Sequence, residues 1–257
     1  MKALLAILTL CALMFSCGNE EVMDDPGLPK EPSDQEGGDL RSRAVRHVEA
    51  QLNIAGTERY GLSIFKQNLD GDAQEDAIIT VNRFNYALEK ARQSPNAAKL
   101  AEIGYVGNYN YIFYYDGGLD LISPAIAVPS SPYLPLEISF EPISSTEYSD
   151  VLVTYRIRNS AYRAFFTVEN HSPARYFEWP IFDELGTPRA KAFSFAYIAT
   201  AMNPRKNIQV YQANISLADT TTNFNVAKPI LTKESKVLYE FFYLPAQQKY
   251  VTKKNRP

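Results

Sequence analysis

The densest oxygen chemistry in this chain of 257 residues lies in Asn68-Leu69-Asp70-Gly71-Asp72-Ala73-Gln74-Glu75-Asp76. Oxygen-bearing side chains stand at relative positions 1, 3, 5 and 9, with a glycine at position 4. Calcium takes roughly six to eight hard oxygen ligands, and alternate residues of a tight loop can turn inward around one ion. Three aspartates this close repel one another unless a cation or solvent offsets them. The spacing is not that of an EF-hand. Counted from Asp70, the sixth position is Glu75 rather than Gly and the twelfth is Val81 rather than Glu, and strand-like sequence flanks the loop on both sides.

The residues that are scarce restrict the remaining chemistry. Only Cys11 and Cys17 occur, both at the N-terminus, so the rest of the chain has no thiol nucleophile, disulfide or thiolate metal site. Only His47 and His171 occur, with no second histidine at helical spacing, which argues against zinc sites built on two or three imidazoles. No G-x-S-x-G elbow accompanies them. Glu141, Glu147, Asp150, Glu178 and Asp183 offer carboxylates for a glycosidase-like pair, but nothing in the sequence brings two of them together. Trp179 with Phe177 offers a sugar-stacking platform, although aromatic residues are also what strands use for packing.

The 68–76 segment resembles the Asp-x-Asn-Gly-Asp-Gly-x-x-Asp loop of FG-GAP/VCBS repeats, over roughly Phe65 to Val81. That resemblance implies Asn68, Asp70, Asp72 and Asp76 as side-chain ligands and the Gln74 carbonyl as a further oxygen, around a structural calcium ion. Asn68 replaces the commoner first Asp, and Ala73 replaces the second Gly.

A second resemblance concerns the N-terminus. Met1-Lys2 leads into an apolar run from Ala3 to Phe15, then Ser16-Cys17, then Gly18-Asn19-Glu20-Glu21. A charged start, about a dozen apolar residues and a small residue before the cut describe a secretory signal. The run is short of the roughly 20 residues a membrane span needs. With cysteine at the cut, the segment resembles a Bacteroidota-type lipoprotein signal. Residues 1–16 are then removed and Cys17 carries acyl chains such as palmitate. The resemblance implies an outer-membrane, lipid-anchored protein, surface-exposed or periplasmic-facing.

Residues 17–39 read as the lipidated cysteine and a disordered tether, with eight acids, Pro26, Pro29, Pro32 and Gly37-Gly38. Setting those acids aside with Lys2 and Lys30 turns the chain's 29 acidic and 26 basic residues into 21 and 24, so residues 40–257 are near +3. That charge is weak and dispersed, which points away from nucleic acid.

The positioning elements follow from periodicity. Leu40, Ala44, Val48 and Leu52 form one apolar stripe and predict an amphipathic helix. Strands are predicted over 60–66 and 77–81, and again over 109–115 before an Asp116-Gly117-Gly118 turn. A helical insertion is predicted around 86–104, with Ser94-Pro95 restarting a helix that Gly104 stops. Beyond residue 119 strands are predicted over 136–140, 151–158, 162–168, 176–182, 191–198, 208–214, 223–226, 237–244 and 249–252. The fold class is mainly β (α+β): antiparallel sandwich-like sheets with an N-terminal helix, and a subdivision near 118–135 left open.

The function expected is a membrane-anchored extracytoplasmic lipoprotein, a non-catalytic binding or envelope-assembly module. Its partner would be a glycan or an envelope protein. A carboxylate-based hydrolase acting on polysaccharide or peptidoglycan is the alternative.

Overall fold

The apolar stripe Leu40–Ala44–Val48–Leu52 forms helix α1, Gly38–Leu52, the first element of the described residues. The computed structural model describes residues 38–96, 107–201, 203–218 and 221–252. Cys17, the predicted signal over 1–16, the predicted 17–39 tether up to residue 37, and the predicted helix restart beyond residue 96 lie outside them. Gly38 and Asp39, the last two residues of that tether, belong instead to α1. Residues Gly37–Pro257 cluster as one compact unit, and the segment 118–135 lies inside it.

The molecule is mainly β, built from two antiparallel sheets. The first contains β1 (Gly61–Gln67), β2 (Asp76–Asn82), β3 (Asn110–Asp116), β4 (Leu121–Ile122) and β5 (Ile126–Ala127). The order is β1-β2-β3, and β4 and β5 share the far edge of β3 through Tyr115↔Ile122 and Ile112↔Ile126. Every residue of β2 from Asp76 to Val81 is buried, because both faces of the sheet are covered. Ile79, Val81 and Phe113 pack under Ala44 and Val48 of α1. Ile78, Ile112 and Tyr114 face the other way, with Leu69, toward the second sheet.

Helix α2, Phe84–Gln93, follows β2 and buries Ala87. It ends at Ser94, whose extended backbone stops the turn. Arg83, just before α2, donates to Glu58 through Nε at 2.7 Å and Nη2 at 2.6 Å, and to the Leu52 carbonyl at 3.3 Å. This nearly buried pair ties the end of α1 to the end of β2.

The second sheet is a sequential meander of β6 (Glu137–Glu141), β7 (Asp150–Ile157), β8 (Ser160–Glu169), β9 (Ser172–Asp183), β10 (Lys191–Thr200), β11 (Asn203–Ser216), β12 (Ile230–Leu244) and β13 (Lys249–Thr252). Strands β9 and β10 meet at two register pairs alone, Lys191↔Asp183 and Ala192↔Phe182. Beyond that seam the two halves fold over each other. Phe177 of β9 lies 4.9 Å from Phe241 of β12, and Tyr176 stacks on Tyr250 of β13 at 5.6 Å. The filling is aromatic, and Phe165 at its centre meets Phe177, Phe195 and Tyr197 edge-on.

Strands β7 and β8 are therefore covered on both sides. Val151, Val153, Ala164 and Phe166 face the first sheet, while Leu152 and Phe165 face the aromatic filling. The layers run α1, first sheet, β6–β9, then β10–β13.

One predicted strand is corrected. Residues 223–226 form a turn, in which the Asn223 carbonyl accepts the Val226 and Ala227 amides and its Oδ1 accepts the Asn225 amide at 3.1 Å. An asparagine that bonds its own backbone favours a turn over a ladder. Strand β12 begins seven residues before the predicted 237, and β11 five residues before 208. The two-residue strands β4 and β5 had no sequence counterpart.

Candidate metal centre

The loop joining β1 to β2 is wound by its own side chains. Asn68 Oδ1 accepts the Gly71 amide at 3.0 Å, Asp70 Oδ1 the Asp72 amide at 3.0 Å, and Asp72 Oδ1 the Gln74 amide at 2.6 Å. Asparagine and aspartate favour this closure because their oxygens reach backbone amides two or three residues on. Gly71 sits at φ +87°, a left-handed conformation costly for a residue with a Cβ. Leu69 is fully buried in the core between the sheets and roots the loop there.

Three carboxylates converge at the base of this loop. Asp70, Asp76 and Asp116 each offer an oxygen, and these oxygens lie within 4.8 Å of one another. Asp76 is fully buried, accepting the Leu69 amide at 2.9 Å on one oxygen and the Gly117 amide at 3.0 Å on the other. Asp116, 2 % exposed at the end of β3, accepts the Leu119 amide at 2.7 Å and meets His171 Nδ1 at 2.7 Å. Tyr114 donates its hydroxyl to Asp70 Oδ2 at 3.1 Å. The β3–β4 turn approaches so closely that a Cβ on Gly118 would lie 2.2 Å from Asp72 Oδ2, and one on Gly117 2.3 Å from the Glu75 carbonyl.

The electrostatics of the cluster are unbalanced. Burial pushes the Asp76 carboxyl above its ordinary range and the Asp70 charge acts the same way, against the Gly117 and Leu69 amides and the Tyr114 hydroxyl. Burial, then the charges of Asp76, Asp70 and Asp116, drive the Tyr114 phenol far above its usual value. Two like charges about 5 Å apart repel by roughly 3 kcal/mol at an effective dielectric near 20. Among the described residues, the partly exposed His171 is the one basic side chain paired with the three carboxylates. The donor set is hard oxygen, which suits calcium.

Of the predicted ligands, the structure brings Asp70 and Asp76 together. Asn68 and Asp72 each turn one oxygen to the loop backbone, and the Gln74 amide is held by Asp72. Asp116, Tyr114 and His171 were not foreseen. Asp116 reads in sequence only as the first residue of an Asp-Gly-Gly turn, and no local spacing marks a partner 40 residues upstream.

The other candidates lie elsewhere. Trp179 and Phe177 line up 6.3 Å apart with ring planes 2° from parallel, and both pack on Phe241 inside the sandwich rather than on an outer face. Asp150 is fully buried, accepting the Ile143 amide at 2.9 Å and the Ser144 amide and hydroxyl. Glu178 pairs with Arg175, and Asp183 accepts the Ser160 hydroxyl. Exposed Glu141 stands opposite Asp150 in register, but Asp150 is committed to its turn. His47 bonds the Ser123 carbonyl at 3.1 Å and packs edge-on against Phe113, as a structural histidine does.

Comparison with protein-family models, curated proteins and solved structures finds no match to this chain.

Proposed function

We propose that this chain is a membrane-anchored extracytoplasmic lipoprotein acting as a non-catalytic binding or envelope-assembly module, stabilised by a structural calcium ion. The observation that carries the calcium reading is the convergence of Asp70, Asp76 and Asp116 within 4.8 Å, two of them almost wholly buried. A divalent cation there offsets their repulsion and joins the β1–β2 loop to the β3–β4 turn. Asp70, Asp76 and Asp116 are the carboxylates that would hold it, with Asn68, Asp72 and the Gln74 carbonyl the nearby oxygens in sequence. The anchor reading rests on Cys17 and the signal-like run before it. The non-catalytic reading is supported by the separate structural bonding of Asp150, Glu178 and Asp183.

Thermal melting in EGTA against millimolar calcium tests the metal. A ligand at one hundred times its Kd stabilises by about 2.7 kcal/mol, so the melting temperature rises clearly with calcium. In Asp116→Asn that rise shrinks or vanishes, although Asp116 lies outside the loop motif. Equal melting temperatures with and without calcium refute the site. The anchor is tested by expressing Cys17→Ser, which is expected to leave the detergent phase and appear in the aqueous one.

A further inference from the structure

A cavity of about 290 Å³ lies in the β sandwich, beside the cross-strand row Arg156–Ala161–Phe182 of β7, β8 and β9. Lys228 and Leu231, at the entry to β12, form part of its wall. Its size is at the lower end of ligand sites, which run to roughly 300–1,000 Å³. The wall carries three cations, Arg156, Arg163 and Lys228, and a single acid, Glu137.

Arg156 is the unusual member. It is 7 % exposed, its guanidinium lies 4.6 Å from the Phe182 ring centre, and no carboxylate pairs with it among the described residues. Nη1 donates to the Ala227 carbonyl at 2.8 Å and Nη2 to Phe224 at 2.7 Å, with a longer contact to Arg158 at 3.5 Å. Nε has no partner. Burial pulls the Arg156 guanidinium down to about 10, and the Glu137 charge is what acts to raise it. Glu137 is itself engaged by Lys228 at 3.2 Å. Arg163 is steadied by a bond to Thr154 Oγ1 at 3.2 Å and by the Phe195 ring. A buried cation without a counter-charge is costly, and proteins ordinarily pair it.

We propose that this cavity is a binding site for a small organic anion, a monocarboxylate with an apolar body. The carboxylate meets the Arg156, Arg163 and Lys228 side, and the body packs on Phe182 and Leu231. Inorganic phosphate fills the cationic end alone and leaves the apolar wall empty. A neutral analogue fills the wall and leaves the charge of Arg156 unanswered. The site names a ligand class for the binding role proposed above, and it stands on residues separate from the aspartate cluster.

The test is calorimetric titration of the protein with phenylacetate, hexanoate and cyclohexanecarboxylate, alongside phenylethanol and inorganic phosphate. At least one acid binds saturably, and phenylethanol and phosphate bind at least about tenfold more weakly, the factor that 1.4 kcal/mol represents. Arg163→Gln and Lys228→Gln weaken that acid by about tenfold or more while the free protein stays folded, with at most the modest loss in melting temperature that one hydrogen bond of about 1 kcal/mol carries. Binding of the acid persists in EGTA, which separates this site from the calcium reading. Failure of all three acids to bind at millimolar concentration overturns the proposal. So does equal binding of phosphate or phenylethanol, or undiminished binding in both variants.

Discussion

Asp76 and Asp150 are both fully buried aspartates bonded by two backbone amides, yet their surroundings ask different things of them. Asp76 faces Asp70 and Asp116, whereas Asp150 closes the 143–144 turn with the Ser144 hydroxyl added. Asp150→Ala strands the Ile143 and Ser144 amides and is expected to cost about 3 kcal/mol in urea unfolding. Burial raises the Asp150 carboxyl in the folded state above its ordinary 3.8. The folded protein therefore holds this proton more tightly than the unfolded chain. Its contribution is fully present below pH 3.8 and is lost as pH rises through the folded value. The stability of wild type relative to Asp150→Asn should shrink as pH rises above 3.8 and then level off, and a gap that widens instead contradicts this. The sequence shows the aspartates of the 68–76 loop because they are close in the chain. It hides Asp116 and His171, because what makes them neighbours is strand pairing and the β8–β9 turn.

Among the elements, β2 was legible because apolar runs bounded by turn residues announce strands, and α1 because its stripe repeats every four residues. The first half of β12, Ile-Leu-Thr-Lys-Glu-Ser-Lys, was not. It is largely exposed and charged, and it is a strand because β11 pairs with it through Ser216↔Ile230 and Ala213↔Lys233. Ion pairs between elements also differ in weight. Arg83 and Glu58 are 9 % and 10 % exposed, while Lys66 and Glu75 are 42 % and 60 %. Breaking a buried pair leaves an uncompensated charge at about 3–5 kcal/mol. A surface pair is worth about 0–1 kcal/mol. Arg83→Ala should thus lower the unfolding midpoint strongly and Lys66→Ala hardly at all. Similar losses in both would show that the Arg83 bridge does not hold α1 to β2.

At the scale of the whole molecule, the seam between β9 and β10 turns one meander into two facing halves. Amides of β9 before Phe182 and of β10 after Ala192 that point into the seam lack ladder partners from each other. Hydrogen exchange is expected to be faster there than at the amides pointing toward β8 and β11, and uniform protection would contradict the split. The aspartate cluster has a kinetic corollary. The meander is assembled from neighbours in sequence, whereas the cluster joins Asp70 to Tyr114 across 44 residues and Asp116 to His171 across 55. Contacts of that separation form late, after the local hairpins. Stabilisation absent from the transition state slows unfolding and leaves the folding rate nearly unchanged. Calcium should therefore lower the unfolding arm of a stopped-flow chevron and leave the folding arm in place, acting as a latch on a finished structure rather than a seed for it.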